Sequence, residues 1–214
     1  SFINRSEELP TGGWKPAGIS FNLEHDSDSV PVRLSGVFGK AQAYAVAAAA
    51  AVGLSFGMNL MRIAEAINLY QSPPQRMKLI PGIKGTFIID DSYNASPLSM
   101  RAAIETVADL KAKRKVAVLG DMLELGKYSI EAHEAIGQLC YRKIDVLITI
   151  GLRSKFIADA AIKRGFNKTR VLSFDTPDQA RLEVQAIIEK GDLVLVKGSR
   201  VIGLDKIVRE VRQM

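Results

Sequence analysis

The chain has 214 residues, 47% of them hydrophobic, and its 29 Lys and Arg against 23 Asp and Glu leave a net charge of +6. That length and apolar content support one or two globular domains with a proper core and exclude a disordered chain. A single cysteine, Cys140, excludes an internal disulfide, and the two histidines, His25 and His133, stand too far apart and too isolated for a zinc site.

Cys140 falls in an apolar helical pattern, which reads as a buried structural thiol in a reducing cytoplasm. The longest apolar run, 43–56, is mostly alanine and broken by Gly53, so it is too short and too weakly hydrophobic for a membrane span. No signal peptide is visible, although the chain opens at Ser1 and not at methionine. A basic balance suits anionic ligands such as nucleotides. The lysines and arginines are dispersed and not interleaved with aromatics, which argues against nucleic acid.

Residues 1–37 carry Gly12-Gly13, Pro16, Gly18 and Pro31 among the alternating segments 19–23 and 30–34, a pattern that predicts a two-stranded hairpin turning at 25–29. Alone it has no core, so it should edge a larger sheet. Residues 39–56 are rich in alanine and predict a helix that stops at Gly57. Asn59 is a good N-cap, and Leu60, Ile63, Ala64 and Ile67 recur at i, i+3, i+4 and i+7, which predicts a second, amphipathic helix ending before Ser72-Pro73-Pro74. The proline pair and the change of composition beyond it mark a hinge near 75–82, dividing 1–78 from 79–214.

From residue 85 onward, strands at 85–90, 115–119, 144–150, 170–174 and 192–196 alternate with helices at 97–110, 129–141, 153–164, 177–189 and 203–212. This order predicts an α/β fold, a mostly parallel sheet with helices on both faces. Right-handed crossovers then place Asp90, Asp91, Gly120, Asp121, Gly151, Lys197 and Gly198 on one rim. The stretch Ile88-Ile89-Asp90-Asp91-Ser92-Tyr93-Asn94-Ala95-Ser96-Pro97 is the most informative: a strand, a polar turn, then a helix capped by Ser96 with Pro97 in its first turn. Ligands of open α/β sheets collect at such strand ends. The chain has no G-x-G-x-x-G after the first strand, no G-x-x-x-x-G-K-[ST] and no G-x-S-x-G, so neither a dinucleotide fingerprint, a P-loop nor a nucleophile elbow is present.

Three separated motifs resemble those of the Mur ligases, most closely the branch that adds D-alanyl-D-alanine. They are Gln75-Arg76-Met77 with Asp90-Asp91-Ser92-Tyr93-Asn94-Ala95-Ser96-Pro97-Leu98-Ser99-Met100; Ala117-Val118-Leu119-Gly120-Asp121-Met122-Leu123-Glu124-Leu125-Gly126, with Ser129 and His133 beyond; and Val196-Lys197-Gly198-Ser199-Arg200. The resemblance implies the tail of a central ATPase domain over 1–78 and a Rossmann-like C-terminal domain over 79–214, with the P-loop and UDP-sugar site upstream. It implies ATP and Mg2+, the metal ligands lying mainly upstream, and an acyl phosphate route joining D-alanyl-D-alanine to a UDP-N-acetylmuramoyl peptide. It also implies a cytoplasmic monomer without nucleic acid or membrane insertion, and a piece inactive alone.

Residue by residue, the resemblance makes Arg76 the arginine that reaches ATP phosphate and Asp91 the aspartate that contacts the ribose. Tyr93 and Asn94 line the adenosine or dipeptide side. Ser92, Asp121, Met122, Leu123, Glu124, Ser199 and Arg200 fall on the acceptor rim, and Lys197 is the expected catalytic cation. The family's G-x-H-N-x-x-N is altered here to Gly39-Lys40-Ala41-Gln42-Ala43-Tyr44-Ala45, leaving Gln42 as a partial replacement near the adenine. His133, beside Glu134 in a helix, reads as a packing histidine. Two other classes remain open: a receiver-type phosphoacceptor module, suggested by Asp90-Asp91 and Lys197 but lacking an aspartate at Ile150-Gly151, and a non-catalytic interaction domain.

Overall fold

The computed structural model describes residues 2–213 and separates them into two sheets. The first is antiparallel, β1 (Phe2–Glu8), β2 (Trp14–His25) and β3 (Asp28–Ser35) in that order. The expected two-stranded hairpin is therefore three strands. β2 and β3 turn where the sequence indicates, with His25 opposite Asp28. β1 is an added edge whose polar residues pair crosswise, Glu7 against Lys15, with a register shift between Arg5 and Ser6. Its polarity hides it from any reading based on alternating hydrophobicity.

Helices α1 (Lys40–Ser55) and α2 (Leu60–Asn68) follow. Asn59 caps α2 by accepting from the Arg62 amide at 2.8 Å. One face of α2, Leu60, Ile63 and Ala64, closes a small core with Ile19, Val32, Leu34 and Val37 of the first sheet region.

The second sheet contains β4 (Lys78–Pro81), β5 (Phe87–Asp91), β6 (Arg114–Gly120), β7 (Val146–Ile150), β8 (Val171–Phe174) and β9 (Asp192–Lys197), in the order β4-β5-β9-β6-β7-β8. All neighbours are parallel except β4, which runs antiparallel to β5. Part of the expected hinge is thus a short edge strand, a position where Pro81 is tolerated. Helices α3 (Pro97–Asp109), α4 (Ser129–Cys140), α5 (Lys155–Arg164), α6 (Pro177–Ile187) and α7 (Asp205–Val211) cover both faces. Met100, Ile104, Ile136, Cys140 and Ile157 join one apolar cluster and Ala180, Val184, Ile207 and Val211 the other. Burial pushes the Cys140 thiol up to about 12, which makes it an inert packing group. No described helix is long and apolar enough to cross a membrane.

The two sheets are tied at a seam. Phe38 leaves the first sheet region and is fully buried in the core of the second. Asn4 Nδ2 donates to Asp109 at 3.3 Å, the Lys111 amide donates to Ser6 Oγ at 2.9 Å, and the Lys111 ammonium lies 4.0 Å from the Trp14 ring centroid.

At the opposite, amino end of the second sheet, β6 and β9 are clamped by Arg114. Its Nε and second nitrogen reach the two oxygens of fully buried Asp192 at 3.0 and 2.7 Å, and the Glu189 amide donates to the same carboxylate at 2.8 Å. Truncating one partner of such a pair strands the other. Asp192→Ala is expected to lower stability by about 3 kcal/mol in urea denaturation; a loss below about 1 kcal/mol would show that the clamp is replaceable by water.

Candidate functional site

The site forms at the carboxyl ends of β5 and β9, which are neighbours although more than 100 residues separate them in the chain. Parallel register sets Asp91 opposite Lys197. The Lys197 Nζ donates to Asp91 Oδ2 at 2.6 Å and to the Asn94 carbonyl at 2.8 Å. Both side chains are withdrawn from water, with 3% of Lys197 and 13% of Asp91 exposed. The other Asp91 oxygen accepts from the Met77 amide at 3.0 Å. The carboxylate thus pins β9 and the segment before β4, and the ammonium pins the turn after β5. Burial raises the Asp91 carboxyl above its ordinary range, while the Lys197 ammonium, the Met77 amide and the Arg76 charge oppose that rise.

The turn is held from inside. Asp90 Oδ1 accepts from Ser92 Oγ at 2.6 Å and from the Ser92 amide at 3.1 Å. Burial raises the Asp90 carboxyl too, against those bonds. The Tyr93 amide donates to the Gln75 carbonyl at 3.2 Å, a second tie to the linker. Then Ser96 caps α3 in a reciprocal box with Ser99, and Pro97 occupies the first turn as expected.

These elements surround a cleft of about 360 Å³ whose walls include Lys40, Arg76, Asp91, Tyr93, Asn94 and Lys197. The Arg76 guanidinium carbon lies 4.3 Å from the Tyr93 ring centroid and that of Arg200 lies 4.9 Å from it. The arrangement offers cations and fixed polar groups to an anionic ligand at a sheet's carboxyl edge. A larger hollow of about 490 Å³ lies between α6 and α7, but its Arg181 and Lys206 are taken up by Glu210 and Asp178. That hollow is a salt-bridged surface.

Beside the cleft, the loop after β6 is built around Asp121. Its Oδ1 accepts from the Ser154 amide at 2.7 Å, and its backbone carbonyl accepts from the Ser199 amide at 2.9 Å. Ser199 Oγ in turn accepts from the Leu123 amide at 2.9 Å. Glycine is required at two points. A Cβ on Gly151, whose φ is +120°, would meet Asp121 at 2.3 Å, and one on Gly198 would lie 3.0 Å from the Gly120 Cα.

Arg76, Asp91, Tyr93, Asn94 and Lys197 therefore share one cleft, and Asp121, Leu123 and Ser199 share one hydrogen-bonded loop cluster. Ser92 and Met122 are buried, and Ser92 is already engaged by Asp90. Glu124 is exposed with φ +63°. Gln42 stands apart from the cleft wall and accepts from the Tyr70 hydroxyl at 3.3 Å. Lys40 and Met77 line the cleft without having been expected there. Lys40 directly follows Gly39 in the altered motif, so the motif's departure was its only signal. Among the described residues no three His, Cys, Asp or Glu side chains converge as metal ligands.

His133 has a structural task. Its Nδ1 lies 2.6 Å from the Ser129 carbonyl and its Nε2 accepts from the Met122 amide at 2.9 Å, which fixes a neutral imidazole with the proton on Nδ1.

Together these features define an α/β domain with an anion-receiving cleft at its seam with a preceding sheet. The chain matches the family model described as Mur ligase, glutamate ligase domain, over residues 75–200, and it belongs to the Mur ligase family. It is 37% identical over 177 residues to the UDP-N-acetylmuramoyl-tripeptide–D-alanyl-D-alanine ligase of Bacillus subtilis (strain 168), covering 82% of this chain and 38% of that protein. To the ligase of the same name from Escherichia coli (strain K12) it is 31% identical, covering 92% of this chain and 42% of that one. Among solved structures, MurF from Acinetobacter baumannii superposes with a TM-score of 0.77 at 27% identity, over 96% of this chain and 44% of that one. MurF ligase from Thermotoga maritima, solved in complex with ADP, shares the fold with a TM-score of 0.76 at 24% identity, over 98% and 45%.

Burial depresses the His133 imidazole below its ordinary value of 6.5, with the Ser129 bond opposing. The folded chain then resists a proton that the unfolded chain accepts. Its contribution to stability is fully present above the unfolded value and is lost as pH falls through the folded one. Urea titrations at pH about 7.5 and about 5.5 should show the chain less stable at the lower pH, and His133→Gln should show a smaller difference. An equal difference in both would place the acid sensitivity elsewhere.

Proposed function

We propose that the chain is the C-terminal part of an ATP-dependent ligase that adds D-alanyl-D-alanine to a UDP-N-acetylmuramoyl peptide during cytoplasmic peptidoglycan precursor synthesis. Residues 1–78 would complete a central nucleotide-binding domain, and 79–214 would form the domain that closes over it. The observation that carries this reading is the cleft at the seam, where Asp91 is fixed from two segments with Arg76 on its wall. The names of relatives at 31% to 37% identity support the choice of acceptor.

The chemistry asks for such a cleft. A carboxylate is a poor electrophile until it carries a leaving group. Transfer of a phosphoryl group from ATP makes an acyl phosphate, and the acceptor amine displaces phosphate to form the amide. Both steps develop negative charge that fixed cations stabilise in a water-excluded site. Arg76 is suited to the phosphate chain, and Asp91, already oriented, to a ribose hydroxyl. Tyr93 and Asn94 would shape the nucleotide side. Gln42 would serve the adenine through its Nε2 donors, since Tyr70 engages only its oxygen.

Lys197 gives two of its three donors to Asp91 and Asn94, which leaves one for a ligand; its main contribution is to hold those groups. Asp121, Leu123, Glu124 and Ser199 would form the acceptor side, with Ser92 and Met122 supporting it from beneath. The ligands of the magnesium that accompanies ATP would lie mainly upstream of this chain.

Residues 1–214 alone should give no amide product from ATP, UDP-N-acetylmuramoyl-tripeptide and D-alanyl-D-alanine, while a full-length ligase containing them should. Arg76→Ala in that ligase should lower kcat roughly a hundredfold. Turnover by residues 1–214 without an upstream part would contradict the division of labour proposed here.

A further inference from the structure

The motif position of Arg200 assigns it to the acceptor, but its surroundings connect it to the nucleotide side. Its guanidinium lies over the same ring that carries Arg76, at 4.9 and 4.3 Å from the Tyr93 centroid. The two charges are no further apart than the sum of those distances, a span that a polyphosphate chain bridges. Neither guanidinium forms an ion pair with a carboxylate among the described residues. Two unpaired cations held this close repel each other. An aromatic face attracts both and lowers the cost of keeping them together without neutralising either.

The ring itself is held in place. Its backbone amide is bonded to the Gln75 carbonyl, and its neighbour Asn94 is bonded through its carbonyl to Lys197. Arg76 arrives from the segment before β4, and Arg200 from the loop after β9. Both converge on the Tyr93 ring.

We infer that Tyr93 is a positioning residue that pairs Arg200 with Arg76, and that the pair receives a polyphosphate chain, so that Arg200 serves the phosphates and not the acceptor carboxylate. The inference rests on the ligase reading and deepens it. It also explains why the position takes an aromatic residue that need not touch the ligand. A cationic residue there would add charge but would repel both arginines, and an aliphatic one would leave them free to separate.

The test uses residues 1–214 and two probes, inorganic tripolyphosphate and D-alanyl-D-alanine, titrated separately by calorimetry at low salt. Arg200→Ala should weaken tripolyphosphate binding about tenfold, the worth of a charge-assisted hydrogen bond, and leave dipeptide binding unchanged. Tyr93→Leu should weaken tripolyphosphate binding in the same direction at an unchanged Tm, while Tyr93→Phe, which keeps the ring, should bind as the parent does. Dipeptide binding lost in Arg200→Ala with tripolyphosphate binding intact would overturn the assignment and leave the ligase reading standing. Equal tripolyphosphate affinity in Tyr93→Leu and Tyr93→Phe, or no binding by the unsubstituted chain at millimolar tripolyphosphate, would overturn it as well. Failure of the ligase reading would register separately, as absent amide synthesis by the full-length enzyme.

Discussion

An ammonium and a carboxylate buried side by side set the terms for the whole cleft. Taking each out of water costs several kcal/mol, and their attraction offsets that only if the remaining donors and acceptors are also satisfied. Lys197 and Asp91 meet this condition through three different segments, because the carboxylate has a second donor in Met77 and the ammonium a second acceptor in Asn94. The pair can exist only because β5 and β9 are adjacent and in register. From it follow the path of the linker, the shape of the turn from Asp91 to Asn94, and the placement of Tyr93 with its two arginines.

The seam between the two sheets turns this local constraint into a site. Phe38 is anchored in the second core while Gly39 and Lys40, next to it, begin α1 and line the cleft. The segment from Gln75 to Met77 crosses back and is tied by the Tyr93 amide and by Asp91. Each wall therefore comes from a different part of the chain, and the cleft depends on how the two sheets sit against each other.

The sequence discloses those features whose causes are local. Ser96 and Thr176 cap their helices through bonds reaching three residues ahead, so the starts of α3 and α6 fall where the sequence places them. The alternation of apolar strands and helices likewise yields the parallel sheet. β1 and β4 are not legible, since one is polar from Asn4 onward and the other is four residues ending in proline; tertiary pairing makes them strands. In the cleft, Arg76, Asp91 and Lys197 stand out by motif, but the partnership of Asp91 with Lys197 depends on strand order. The convergence of Arg76 and Arg200 on Tyr93 depends on two loops that no periodicity links. The Arg114–Asp192 clamp is hidden for the same reason.

The most direct test of this account is a double-mutant cycle on Asp91→Asn and Lys197→Met, read as unfolding free energy in urea. If the buried pair organises the cleft, each substitution strands the other partner, and the double variant should lose much less than the two single losses combined, with a coupling of about 2 kcal/mol. Single losses that add to within about 0.5 kcal/mol would mean that the two groups are independent and that something else holds the linker and the turn together.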